Sequence, residues 1–165
     1  MRKKLEKIET LEDFSHLIAI TVISQAEENV AALAKEEHVV FWTEYLIFVL
    51  FSLDLVISDR FIRNSPQTRW AFRDMVVADI MQYISLEIEG EQILTSIIED
   101  RFEEYAEAFK DEREPGRLFW LGRSVAKNVA EQHRNALVVA KLGMYFVANT
   151  RLFKTLFEDP QLFLW

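Results

Sequence analysis

The sequence predicts an all-α fold, a bundle of about five long, mostly antiparallel helices. Three observations carry that expectation. Only four Gly and three Pro occur in 165 residues, which leaves little material for hairpins. Apolar residues recur at intervals of three and four along most of the chain. Half of all residues are hydrophobic and 28% are charged, the balance of a globular chain rather than a disordered one. One domain, residues 1–165, is long enough to bury a core without covalent staples. Residues 1–9 are expected to be a frayed, charged N-terminus, and residues 158–165 an apolar C-terminal tail.

The first helix is expected over Leu11–Ala34. Thr10 can cap it, and Phe14, Leu17, Ile18, Val22, Ala26, Val30 and Leu33 share one face. The polar stretch Lys35-Glu36-Glu37-His38 holds no Gly or Pro, so the second helix, His38–Arg60, could continue the first with a bend. It is apolar nearly all round, as a central helix is. Ser65 and Pro66 form a start signal for a third helix reaching Glu89. Gly90 is read as the separator before a fourth, Glu91–Glu112. Its apolar stripe is Leu94, Ile97, Ile98, Phe102, Tyr105 and Phe109. Pro115-Gly116 marks a turn. A last helical pattern runs from Arg117 to Phe157, with Gly143 as the expected interruption and Pro160 as the end.

Several chemistries are excluded or unsupported. The chain has no Cys, so disulfides, thiolate metal sites and cysteine nucleophiles are excluded. It has no Walker phosphate loop, no Gly-x-Gly-x-x-Gly and no Gly-x-Ser-x-Gly. Glu6, Glu9, Glu12 and Asp13 interrupt the region where a signal peptide needs an apolar core. The best candidate membrane segment, Val39–Ile57, contains Glu44 and Asp54, and an acid near a membrane helix centre costs roughly 3 kcal/mol. No transmembrane span and a cytoplasmic location are therefore expected.

A few polar residues stand on faces otherwise suited to the core. Asp54 follows Ile47, Leu50 and Phe51; Asp79 lies among Phe72, Val76, Tyr83 and Leu86; Glu44 shares a face with Phe41, Phe48 and Phe51. Arg101, on the fourth helix's apolar stripe, is a partner for these acids. His133 is flanked by Val129, Ala130, Ala136, Leu137 and Ala140. Glu44, Asp54, Asp79, Arg101 and His133 are thus candidate buried polar or ligand-orienting residues. The competing explanation is internal ion pairing, the commoner fate of such groups. The paired Glu-x-x-His motifs of diiron bundles are missing, and an all-carboxylate site from Glu44, Asp54 and Asp79 is the remaining metal option. No metal ligand, cofactor or catalytic residue is assigned.

Charge is uneven. Residues 113–154 hold eight Lys/Arg against two Asp/Glu, whereas the whole chain is at −8. Packing of a basic region beside acidic helices explains this better than nucleic-acid binding, which overall acidity opposes. Gly122, Ala126 and Ala130, then Ala136 and Ala140, give small-residue spacing that lets a neighbouring helix approach. Leu162, Phe163, Leu164 and Trp165 need somewhere to dock, and a homodimer joint is the expectation. The expected function is a non-catalytic helical interaction module, an adaptor, regulator or inhibitor-type binding protein. The alternatives are a sensor domain holding a small apolar ligand in an aromatic-lined bundle cavity, and a carboxylate-metal enzyme.

Overall fold

The computed structural model describes residues 11–35, 41–60, 66–84 and 88–158. Six α-helices occupy them: α1 Leu11–Ala34, α2 Trp42–Arg60, α3 Pro66–Tyr83, α4 Ile88–Lys110, α5 Arg117–Ala130 and α6 Ala136–Glu158. No strand occurs among the described residues. The fold is all-α, with one helix more than expected. The tail residues Leu162, Phe163, Leu164 and Trp165, and the N-terminal residues 1–9, lie outside the described residues.

α2 is the axis of the bundle and packs on all five other helices. Its sequence explains this. Tyr45 through Leu53 are buried without a break, so the helix has no solvent side along that stretch. Ser52, the polar residue in this run, returns its hydroxyl hydrogen to the Phe48 carbonyl at 3.1 Å. α1 and α2 are separate helices packed on each other, so α2 does not extend α1 as a bent continuation. The Phe41 amide donates to the Val129 carbonyl at 2.8 Å and ties the start of α2 to the end of α5.

Three boundaries differ from expectation. Gly90 lies inside α4, and α3 ends at Tyr83 rather than Glu89. The long C-terminal pattern breaks at residues 131–135 and not at Gly143, which sits within α6. Glu131 closes α5 in the left-handed conformation (φ 53°), a position usually filled by Gly. Asn135 opens α6, accepting from the amides of Leu137 at 3.1 Å and Val138 at 3.3 Å. At Pro115-Gly116 the expected turn is present, with a cis Glu114–Pro115 bond and Gly116 at φ 112°.

α5 and α6 form an antiparallel hairpin with an unusually close crossing. A β-carbon at Gly122 would overlap the Val139 carbonyl oxygen, and one at Gly143 would lie 3.2 Å from the Leu118 carbonyl oxygen. Ala126 and Ala130 continue the buried small face. The Gly122, Ala126 and Ala130 spacing thus serves helix packing inside the bundle, whereas Ala136 and Ala140 are exposed.

Candidate functional site

Of the polar residues predicted from the sequence, Glu44 and Arg101 meet, and the five do not form one site. Glu44 on α2 accepts two hydrogen bonds from Arg101 on α4, from Nε at 2.8 Å and Nη2 at 3.0 Å. This fork-to-fork geometry is the strong form of an ion pair. The carboxylate holds the Arg101 guanidinium above its usual range, mainly through that hydrogen bond. Arg101 also reaches Glu104 at 3.5 Å, and Glu104 accepts from Ser124 at 2.8 Å and Asn128 at 3.0 Å on α5. One polar seam therefore runs from α2 through α4 to α5.

Asp79 on α3 accepts from the buried Ser15 hydroxyl of α1 at 2.7 Å. Asp54 lies 4.0 Å from Arg73, with about a quarter of its side chain exposed. Each acid is matched to a different element, so Glu44, Asp54 and Asp79 do not assemble a carboxylate metal site. No cluster of three or more candidate metal-binding side chains occurs among the described residues. His133 is not on an inward helix face. It belongs to the α5–α6 loop and is half-buried, because the helix that would have turned it inward stops at Ala130.

Tyr45 and Asn149 are buried polar residues outside the set predicted from the sequence. The Tyr45 hydroxyl and both amide atoms of Asn149 are buried without a hydrogen-bond partner. Burial drives the Tyr45 phenol far above its ordinary range; Tyr145 adds to this, and neighbouring Asn149 and Asn29 oppose it only in part. Such atoms cost stability unless something completes their bonds. Asn149 was within reach of the test applied to Asp54, since Phe146 and Phe153 flank it at helical spacing. The aromatic side chains around Tyr45 are mutual partners: Tyr45 meets Phe48 edge-on, Phe48 meets Tyr105, and Phe51 meets Phe102.

A wide opening lies between the start of α5 and the outer face of α6. It is a groove of about 780 Å³. Pro115, Leu118 and Phe119 form one wall and Met144, Val147, Ala148 and Leu152 the other, with Gly143 between them; among the described residues Arg151 is the charged one in the lining. The groove follows from two features. Gly122 and Gly143 let the hairpin cross closely, and beyond the crossing α6 keeps apolar residues on its outward face. Met144 is 70% exposed, Val147 47% and Leu118 39%. Such side chains in one strip are the unusual observation, since single exposed apolar residues are ordinary.

Part of the positive charge of residues 113–154 is matched locally. Lys127 lies 3.8 Å from Glu104 and Lys154 3.9 Å from Asp59, Arg113 pairs with Asp111, and Arg117 lies over the Phe109 ring. A smaller cleft of about 480 Å³ separates α3 from α4, lined by Arg73, Asp74, Met81, Thr95, Glu99 and Phe102 among others. By length and hydropathy α1 and α6, rather than α2, are long and apolar enough to cross a membrane; 33% and 39% of those windows are buried in the bundle. Comparison with protein-family models, curated proteins and solved structures yields no match.

Proposed function

We propose that the chain is a non-catalytic helical interaction module that takes an apolar, acid-flanked protein segment into the α5–α6 groove. The observation that carries this reading is the outward strip of Met144, Val147 and Ala148 beside Leu118 and Phe119, with Arg151 set among them. Apolar side chains of a partner would remove this strip from water, and an acid beside them would meet Arg151. Burying the exposed portions of Leu118, Met144 and Val147 supplies on the order of 1 kcal/mol each. Set against the cost of association, this gives a micromolar contact rather than a permanent one.

Fluorescence anisotropy tests the proposal. The probe is a labelled helical peptide with Leu and Phe at i, i+3 and i+7 and Glu elsewhere; its Lys counterpart is the control. The acidic peptide should bind in the micromolar range, about tenfold tighter than the basic one. Met144→Asp combined with Val147→Asp should abolish binding while leaving the helical signal intact. Equal binding of both peptides, or of neither, contradicts the proposal. Association with phosphatidylserine vesicles in place of the peptide would favour a membrane surface as the partner.

A further inference from the structure

We infer that the groove takes an amphipathic α-helix of about four turns, lying antiparallel to α6 with acids in its first turn beside Arg151. This rests on the reading of the groove as a docking site and adds the partner's shape, direction and charge order.

Shape comes first. α6 is apolar on two opposite faces. Leu142, Phe146 and Phe153 are buried in the core. Leu137, Ala140, Met144 and Val147 face away from it and are exposed, Leu137 by 58%. Arg151 follows on the same outward face and is also exposed. These five recur at steps of three and four residues, the spacing of a helix–helix seam. An extended segment repeats every second residue and does not match it. Ala140 and Ala148 line the groove and let a helix backbone approach, while Leu118 and Phe119 of α5 wall one side. From Leu137 to Arg151 the seam is about 21 Å long at 1.5 Å per residue, which a helix of about four turns covers.

Charge sets the direction. The seam is apolar from Leu137 to Val147 and cationic at Arg151, with Lys154 at its flank. Acids of a partner therefore belong at the Arg151 end. The last turn of α6 holds Glu158 and no basic residue, so this end of the helix is negative. An antiparallel partner brings its positive amide end there, whereas a parallel one brings its own carbonyls. Acids also stabilise a helix from its first turn. Only in the antiparallel direction do the same acids serve both purposes.

A second copy of α6 does not fit these terms. Paired antiparallel about Met144, its Arg134 falls opposite Lys154, since each lies ten residues from Met144. Paired parallel, Arg151 meets Arg151. Residues 113–154 hold eight Lys/Arg against two Asp/Glu, so like charges face each other across either joint.

The test uses the intact chain, observed by amide NMR, and two peptides of identical composition. One carries Glu in its first turn, then Leu and Phe at heptad spacing; the other has the reversed sequence. The acids-first peptide should bind about fivefold tighter. A nitroxide on its N-terminus should broaden Arg151, Leu152 and Thr155 and spare Leu137, and a nitroxide on its C-terminus should do the opposite. Arg151→Glu should weaken this peptide about tenfold. Broadening of Leu137 by the N-terminal label, or of both ends equally, overturns the antiparallel direction. Equal affinity for the reversed sequence, or unchanged affinity in Arg151→Glu, overturns the charge order. Carbon shifts of an extended chain in the bound peptide overturn the helix. A doubled mass in the absence of peptide, reversed by Met144→Asp, overturns the inference in favour of a second copy. All these outcomes leave the groove standing as a docking site. Binding of neither peptide counts against the docking site itself.

Discussion

α5 packs on α2, α4 and α6, and its two most extensive seams, toward α4 and α6, are built from opposite materials. Toward α4, Ser124 and Asn128 meet Glu104, which Arg101 joins to Glu44 on the central helix. Toward α6, Gly122 brings backbones into contact, and just past that crossing α6 turns Met144 and Val147 to solvent. The first seam holds charged groups that have found partners inside the protein. The second ends in apolar groups beside an open groove. Charged residues on inward faces thus account for how the bundle is joined. The exposed apolar strip is the feature that packing among the described residues leaves uncovered.

Substitutions at the two seams should separate these roles. The largest effect is expected at the crossing: Gly122→Ala places a methyl group against the Val139 carbonyl and should cost about 3 kcal/mol in urea unfolding. A loss below about 1 kcal/mol would mean that the hairpin is looser than described. Gly143→Ala, with 3.2 Å of clearance, should be far milder, because helix propensity offsets part of the strain. Next comes the polar seam. Arg101→Ala leaves Glu44 without its two-pronged donor and should cost about 2 kcal/mol by chemical denaturation. Little or no loss would indicate that solvent replaces the guanidinium, and the seam would not be a structural joint.

Smaller effects are expected at the core. Tyr45→Phe removes a hydroxyl with no partner, so the melting temperature should stay level or rise, equivalent to at most about 1 kcal/mol of stabilisation. A clear drop would show that the hydroxyl is held by the neighbouring Asn149 or Asn29. The smallest effect on stability belongs to the groove. Met144→Asp should change unfolding free energy by no more than about 0.5 kcal/mol, as expected for an exposed position. A large loss there would mean that Met144 supports the fold, and the contrast between the two seams would fail.

The fold was legible because local patterns and tertiary packing agree. The apolar run from Tyr45 to Leu53 marked a central helix, and α2 packs on every other helix. The Pro115-Gly116 turn followed from residue types alone. The break at 131–135 was less visible, because Glu131 takes the left-handed position that Gly usually marks. Asn135 was the available signal, a good capping residue directly before an apolar stretch. The candidate site was less legible still. Periodicity identifies which α6 residues are apolar but not which neighbour covers them, so Met144 and Phe146 look alike in sequence. In the fold one is 70% exposed and the other 5%. His133 illustrates the same gap in reverse, since its inward placement assumed a helix that stops three residues before it.

We propose the α5–α6 groove as the binding surface. Amide chemical-shift mapping with the acidic helical peptide tests this most directly. The account predicts that shifts concentrate at Leu118, Phe119 and the outward positions of α6 from Ala140 to Thr155. Shifts centred instead on Met81, Thr95 and Phe102 in the α3–α4 cleft would contradict it.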